Sequence, residues 1–368
     1  MRGPPLRNCD MVDRTEGPFS MDDRFTRRTM LGGMAATPML QGQGEQRTIK
    51  VVALHDFTPE EIRELQEAVP NVRIDLVLAN RGDFRAKAAD AEVLYGQVPG
   101  KELDFAPKLK WIQTSAAGME WMDAEFRANP IITTNYARVF APGISETAMG
   151  LLLALTKRIG TDYVPQFLKH EWKPIGTVKS PDHVELVGRT MGISGLGGIG
   201  TETARRAHFG FDMRIVATDA KPIPKPHFVE ELHDPTWLME MVPRADVLVA
   251  AVPHTPKTER MFNEVVFRKM KPTAYFLALS RGKVFDDMAL VRALKEGWIA
   301  GAGLDVFPHE PIPADHPIYD CKNVVITPHT SGWSPDRQKR LVAFFAENLR
   351  RFAAGLPLEN VVDKTAGY

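Results

Sequence analysis

Three side chains late in the chain have the types and placing to hold an acid and move a proton: Arg281, Glu310 and His329. Arg281 comes directly after the apolar run 274–280. His329 follows the run 324–327 and Pro328, and Glu310 lies in the loop after the run 299–306. In open parallel sheets, ligands bind outside the carboxyl ends of the strands, and all three positions qualify. A guanidinium there can grip a carboxylate through two parallel hydrogen bonds and steady a carbonyl oxygen beside it. An imidazole is a suited acid–base near neutral pH. A carboxylate next to it would fix one tautomer and favour the charged ring. The plainer alternatives are a surface salt bridge for Arg281 and a satisfied core histidine for His329. Their shared position after buried-looking runs weighs against both. His254 and His309 read as loop residues and are assigned nothing.

A second constellation lies upstream. The short apolar run Thr190–Ser194 leads into Gly195, Leu196, Gly197, Gly198, Ile199 and Gly200, and a helical pattern follows from Ile199 through Ala207. In G-x-G-x-x-G the first glycine allows the tight turn, the second lets backbone approach a pyrophosphate, and the third lets helix pack on strand. Phosphates would sit on the free N–H groups at the positive end of the helix. The motif alone is weak. It gains weight because the next apolar run, Arg214–Thr218, ends in Asp219, where a carboxylate would accept from an adenosine ribose.

The elements that must position these groups alternate. Strands are predicted over 48–54, 72–78, 91–95, 109–114 and 131–135, then 190–194, 214–218, 247–252, 274–280, 299–306 and 324–327. A helix begins at Thr58 with Pro59 and acidic residues in its first turn. Alternation of this kind gives parallel α/β sheets. The run 145–159 reads as a strong, mostly buried helix between domains, capped by Ser145 with Glu146 in its first turn. A final helix over 335–353 would return to the first domain. The fold class expected is α/β with two parallel-sheet domains, 48–150 with 334–368 and 151–333, the second carrying the glycine-rich turn.

Composition narrows the class. At 368 residues, two domains with ample core are expected. Lys plus Arg and Asp plus Glu both number 46, so nothing favours nucleic acid. No run is long and apolar enough to span a membrane. Cys9 and Cys321 form neither a disulfide framework nor a metal cluster, and no metal is expected. Residues 1–47 show no strand or helix period. Within them Thr26-Arg27-Arg28-Thr29-Met30-Leu31, followed by a mild apolar run, resembles a twin-arginine export signal, with Met21 at a sensible distance to be the start. The alternative is a disordered leader on a cytoplasmic protein.

Several further motifs stand in order: Leu109-Lys110-Trp111-Ile112 leading to Ala117-Gly118, Glu146, Glu185-Leu186-Val187-Gly188, and Val252-Pro253-His254-Thr255-Pro256. After these come Ser280-Arg281-Gly282, then 301–311 (GAGLDVFPHEP), then Thr327-Pro328-His329. Across roughly 48–365 the chain resembles the D-isomer-specific 2-hydroxyacid dehydrogenase family. The resemblance implies two Rossmann-like, doubly wound parallel-sheet domains, a flavodoxin-like substrate domain (48–150 with 334–368) and an NAD-binding domain (151–333). The resemblance implies hydride transfer between NAD(H) and a 2-oxo acid/D-2-hydroxy acid pair, of the glyoxylate/hydroxypyruvate reductase kind. NAD is the expected cofactor and NADP the lesser candidate. Arg281, Glu310 and His329 would be catalytic. Gly195, Gly197, Gly198, Ile199, Gly200, Asp219, Pro253, Thr258, Leu279 and Asp305 would contact the cofactor, Asp305 on its nicotinamide side. Ala117 and Gly118 would offer backbone N–H groups to the substrate carboxylate beside Arg281. A homodimer built on the dinucleotide domain is also implied.

The pattern has departures. Ala278 stands where relatives often have Asn, Trp333 where smaller residues are frequent, and Gln113-Thr114-Ser115 replaces an Arg-x-Gly often seen before Ala-Gly. These bear on substrate shape. A formate dehydrogenase-like enzyme shares the scaffold but has Gln where Glu310 stands. An NAD-sensing binding module of the corepressor type keeps the same three residues, so the sequence leaves it as the alternative.

Overall fold

The computed structural model describes residues 47–177, 180–181 and 183–368. The leader, with Arg27, Arg28, Met21 and Cys9, lies outside the described residues.

Two parallel sheets organise the rest. The first has five strands: β1 (Thr48–Ala53), β2 (Arg73–Leu78), β3 (Val93–Tyr95), β4 (Trp111–Gln113) and β5 (Ile132–Thr134). Their order is β2-β1-β3-β4-β5, the flavodoxin-like arrangement. A two-stranded antiparallel pair follows, β6 (Gly176–Thr177) with β7 (Ser180–Pro181). The second sheet has seven strands: β8 (Thr190–Ser194), β9 (Arg214–Thr218), β10 (Glu231–His233), β11 (Val247–Ala250), β12 (Tyr275–Ala278), β13 (Gly301–Leu304) and β14 (Val324–Ile326). Their order is β10-β9-β8-β11-β12-β13-β14. The strand order therefore reverses between β8 and β11, and the crevice at such a point is where doubly wound sheets take ligands.

Parallel sheets need both faces covered, and the strands show this residue by residue. On β12, Phe276 and Ala278 face one core, whereas Tyr275 and Leu277 face the other. Phe276 packs against Phe262, Phe267 and Phe285 at ring separations of 5.3, 5.2 and 5.9 Å. In the first sheet Tyr95 and Trp111 face an aromatic cluster, and Leu94 and Ile112 face the opposite core. The helix Arg337–Ala353 closes the aromatic side. Its Phe345 lies 4.8 Å from Tyr95 and 5.4 Å from Trp111, so the end of the chain packs on the first sheet.

The helix Ala141–Thr156 starts earlier than expected. Ser145 is no cap: it is fully buried inside the helix, and its hydroxyl donates to the carbonyl of Pro142 at 2.8 Å. Pro142 supplies the reason, because proline fits the first turn of a helix, where its missing N–H costs nothing. Glu146 sits beyond that turn, and Arg206 Nη2 reaches its carboxylate at 3.2 Å. Leu151, Leu152 and Leu155 of this helix join the core of the second sheet. The chain passes between the lobes twice, before this helix and before Arg337. The first passage lies against the helix that follows the second: Arg340 Nε donates to the carbonyl of Val139 at 3.2 Å, and the Arg337 guanidinium lies 5.2 Å from the Phe140 ring centre.

Candidate active site

The dinucleotide turn is built as its glycines require. β8 is buried between β9 and β11 and delivers Gly195 with φ +91, a left-handed conformation that side chains disfavour. A Cβ there would also lie 2.8 Å from the carbonyl oxygen of Ala251. At Gly200 a Cβ would come within 2.0 Å of the Gly195 carbonyl, so only glycine lets helix Gly198–Phe211 sit this close to the turn. Gly197 caps that helix, and its missing side chain faces open space. The first-turn N–H groups of Gly198, Ile199 and Gly200 have no acceptors within the helix. A feature not foreseen is Arg138 of the first lobe, whose Cα lies 2.7 Å from where a Gly198 Cβ would be. Arg138 adopts φ 77 and ties the first lobe to this turn.

Asp219 directly follows β9, where Leu196 N donates to its Oδ2 and Lys221 N to its Oδ1, each at 2.8 Å. Single bonds to each oxygen leave lone pairs for ribose hydroxyls. The Lys221 ammonium lies 4.3 Å from the centre of the Tyr368 ring, and Lys225 Nζ donates to the Val229 carbonyl at 2.6 Å. Burial, then the nearby Asp219 and Asp363 carboxylates, push the Tyr368 phenol above its usual range. After β11, Thr258 Oγ1 donates to the Pro253 carbonyl at 2.6 Å and accepts from Thr255 N at 2.8 Å, which closes that loop. Leu279 is buried in the sheet core.

Asp305 is engaged with the loop that follows β14. It is 1% exposed and accepts from Thr327 Oγ1 at 2.7 Å, Thr330 N at 3.1 Å, Ser331 N at 3.2 Å and the Ser331 hydroxyl. It thereby pins both sides of the loop that carries His329.

Arg281, Glu310 and His329 converge at the carboxyl ends of β12, β13 and β14. Glu310 Oε1 accepts from Phe307 N, and its Oε2 pairs with His329 Nδ1, both at 2.7 Å. With Nδ1–H turned to the carboxylate, Nε2 remains without a protein partner among the described residues and is the atom that can exchange a proton. His329 adopts φ 55, a left-handed backbone that histidine tolerates better than most side chains. Arg281 Nη1 donates to the Ser280 carbonyl at 2.7 Å. The next residue must be glycine, because a Cβ at Gly282 would lie 1.8 Å from the Phe307 carbonyl carbon. The loops bearing Arg281 and Glu310 are thus packed directly on one another.

Opposite them is the loop after β4. Its carbonyls are occupied: Ala116 O by Thr114 Oγ1 at 2.8 Å and Tyr136 N at 3.1 Å, and Ala117 O by Asn135 Nδ2 at 2.8 Å. The N–H groups of Ala117 and Gly118 have no protein acceptor among the described residues. A cavity of about 440 Å³ opens nearby, at the carboxyl ends of the first sheet's strands, lined by His55, Asn80, Arg81, Gly96, Gln97 and Ser115 among others. Glu120 of this loop was not singled out in the sequence, yet it reaches Arg281: Nε donates to Glu120 Oε1 at 2.7 Å. Among the described residues no cluster of side chains could hold a metal ion, and no helix is long and apolar enough to cross a membrane.

The cradle at Gly197 and the free carboxylate edges of Asp219 fit a dinucleotide, and the switch-point crevice leads to an arginine and an acid–base histidine. Together they define a dinucleotide-dependent dehydrogenase of two α/β lobes. Residues 149–331 match the model of the D-isomer specific 2-hydroxyacid dehydrogenase NAD binding domain. The chain is 38% identical over 287 residues to a glyoxylate reductase of Korarchaeum cryptofilum, covering 76% of this chain and 84% of that one. It is 32% identical over 304 residues to glyoxylate/hydroxypyruvate reductase B of Citrobacter koseri, with 80% and 90% covered. A solved NADPH-dependent glyoxylate/hydroxypyruvate reductase of Sinorhizobium meliloti, in complex with NADP and sulfate, superposes with a TM-score of 0.71 at 26% identity. That match covers 87% of this chain and 100% of that one. The chain belongs to the D-isomer-specific 2-hydroxyacid dehydrogenase family. It is an NAD(P)-dependent oxidoreductase that moves a hydride between the dinucleotide and a 2-oxo acid/2-hydroxy acid pair.

Proposed function

We propose that this protein reduces glyoxylate, hydroxypyruvate or a similarly small 2-oxo acid with NADH, giving the D-2-hydroxy acid. The observation that carries the reading is the 2.7 Å pairing of His329 Nδ1 with Glu310, which leaves Nε2 without a protein partner among the described residues. The bound nicotinamide supplies or accepts the hydride at its C4. His329 Nε2 gives a proton to the carbonyl oxygen in reduction and takes it back in oxidation. Glu310 holds the ring with Nδ1 turned to its carboxylate. Arg281, with the Ala117 and Gly118 N–H groups, holds the substrate carboxylate. The polar cavity beside Ser115 supports room for a short hydroxylated substrate tail.

The cofactor preference rests on Asp219. A 2′-phosphate would meet its negative charge in a partly desolvated site. The two lysines that could offset it are engaged elsewhere, Lys221 over Tyr368 and Lys225 on Val229. NADH is expected to exceed NADPH by about tenfold in kcat/KM, roughly 1.4 kcal/mol. Steady-state rates with glyoxylate and hydroxypyruvate, each with NADH and NADPH, test the whole reading. Cofactor binding without turnover of any 2-oxo acid would favour a sensor. Equal rates with both cofactors would remove the role given to Asp219.

A homodimer belongs to this proposal. Phe167, Leu168 and Trp172 (97% exposed) form an apolar patch of the kind that marks protein contacts. Sedimentation of the purified protein tests it. Export by the twin-arginine route is proposed on Arg27 and Arg28 alone, and cell fractionation with both replaced by Lys tests that. The substrate and cofactor domains are proposed to divide at 150/151 and 333/334. The packing of helix Arg337–Ala353 on the first sheet supports the second boundary.

A further inference from the structure

A carboxylate with no part in proton or hydride transfer lies against the arginine assigned to the substrate. Glu120 stands two residues after Gly118, in the loop after β4 of the first sheet, and Arg281 follows β12 of the second. Although 161 positions apart, they meet with Nε donating to Glu120 Oε1 at 2.7 Å. On its other edge the guanidinium is held by the Ser280 carbonyl, which accepts from Nη1 at 2.7 Å. Two of its three nitrogens therefore have fixed acceptors. The third, Nη2, lies against Gly118: a Cβ there would be 1.9 Å from Nη2 and 2.3 Å from Glu120 Oε2. The glycine is what lets the guanidinium lie this close to the backbone, next to an N–H with no protein acceptor among the described residues.

The pair is not there for stability. Its side chains are 33% and 36% exposed, and ion pairs open to water add little to folding. Orientation is what it can supply. A guanidinium is a rigid fork, so pinning Nε and Nη1 decides where Nη2 points. We propose that Glu120 is a positioning residue for Arg281. It turns the guanidinium so that Nη2 and the Gly118 N–H together receive the substrate carboxylate. Because the carboxylate comes from one lobe and the guanidinium from the other, the receiving fork is complete only when the lobes are together. This inference rests on the substrate reading above.

The test uses NADH-saturated full-length enzyme. KM and kcat are measured for glyoxylate, and binding is measured for oxamate, an unreactive amide analogue of the same acid. Glu120→Ala should raise the glyoxylate KM and the oxamate Kd together by about tenfold, the size expected for a lost charge-assisted hydrogen bond. Thermal midpoint and NADH affinity should stay at wild-type values. Glu120→Gln, whose amide oxygen can still accept from Nε, should recover part of the loss. Glu120→Asp, one methylene too short, should not. In an Arg281→Ala background, Glu120→Ala should add nothing, as residues acting through one contact do not add. Normal wild-type turnover with an unchanged or lowered KM in Glu120→Ala would overturn the role of Glu120 alone, as would additivity with Arg281→Ala. Failure of the wild type both to reduce glyoxylate and to bind oxamate would overturn the substrate reading and this inference with it.

Discussion

Two histidine–carboxylate pairs sit in the same stretch of chain and do opposite work. His329 pairs with Glu310 at 2.7 Å, and its side chain is 45% exposed. His316 pairs with Asp287 at 3.2 Å and is 11% exposed. His316 has no nitrogen to spare. Nε2 turns to Asp287, and Nδ1 accepts from Ile318 N at 3.2 Å, capping the short turn Pro317–Asp320. Its ring stands edge-on to Phe307 at 5.0 Å, and its backbone is ordinary, with φ −67. His329 has one nitrogen without a protein partner among the described residues and a backbone at φ 55. A carboxylate partner therefore does not make a histidine reactive. The unclaimed nitrogen does.

The largest effect expected from this contrast is on rate. His329→Ala should lower kcat for reduction by about 10²–10⁴, the range for a lost general acid, while His316→Ala leaves kcat near wild type. Single-turnover rates for the two variants check it, and equal losses would erase the distinction. Glu310→Gln comes next. It keeps an acceptor for Nδ1–H but removes the charge, so a loss of about tenfold in kcat with unchanged NADH affinity is expected. Asp287→Asn should leave kcat alone. In stability the order reverses. His316→Ala removes a cap and should cost about 1 kcal/mol in chemical denaturation, against almost nothing for His329→Ala.

The smallest effect belongs to a third kind of pairing, one with neither a free nitrogen nor a cleft. Glu347, on the last helix, is held by Arg350 and also by Arg351, and its carboxyl falls from 4.5 to about 2. A lowered carboxylate stabilises the fold above its unfolded value and loses that contribution as pH falls through the folded one. The benefit is thus complete above pH 4.5 and gone below about 2. The side chain is 36% exposed, so solvent screens most of it, and Glu347→Gln should cost only a few tenths of a kcal/mol at neutral pH. The difference from wild type should vanish in denaturation curves taken at the acid end of that window.

Much of this was legible in the sequence. Buried strands of a parallel sheet are short apolar runs, and eleven such runs appear as strands at or near the expected places. The edge strand Glu231–His233 was missed because three polar-flanked residues carry no hydrophobic signal. The start of helix Ala141–Thr156 was misplaced by trusting Ser145 over Pro142, although the proline was the better signal. Arg281, Glu310 and His329 could be read because each follows such a run. Glu120 could not. Its partner is supplied by the packing of two lobes, and nothing in its neighbours distinguishes it from the other carboxylates. Asp305 could be placed at a strand end, but only the folded loop reveals that the backbone of Thr330 and Ser331 uses its oxygens.

The first passage of chain between the lobes lies against the start of the helix that follows the second, Val139 to Arg340 and Phe140 to Arg337, so the two crossings are neighbours. Mechanically that is a door with both hinges on one jamb. Two tethers on one side leave a single easy rotation, about the line through them, and resist the others. Under such a rotation Val139 and Phe140 scarcely move, whereas groups far from the axis sweep the longest arcs. On the positioning role proposed for Glu120, Arg281 and Glu120, on opposite leaves, would act as the latch. The torque a substrate must supply depends on how far that latch lies from the jamb, so lengthening either tether would loosen closure without altering one reactive atom.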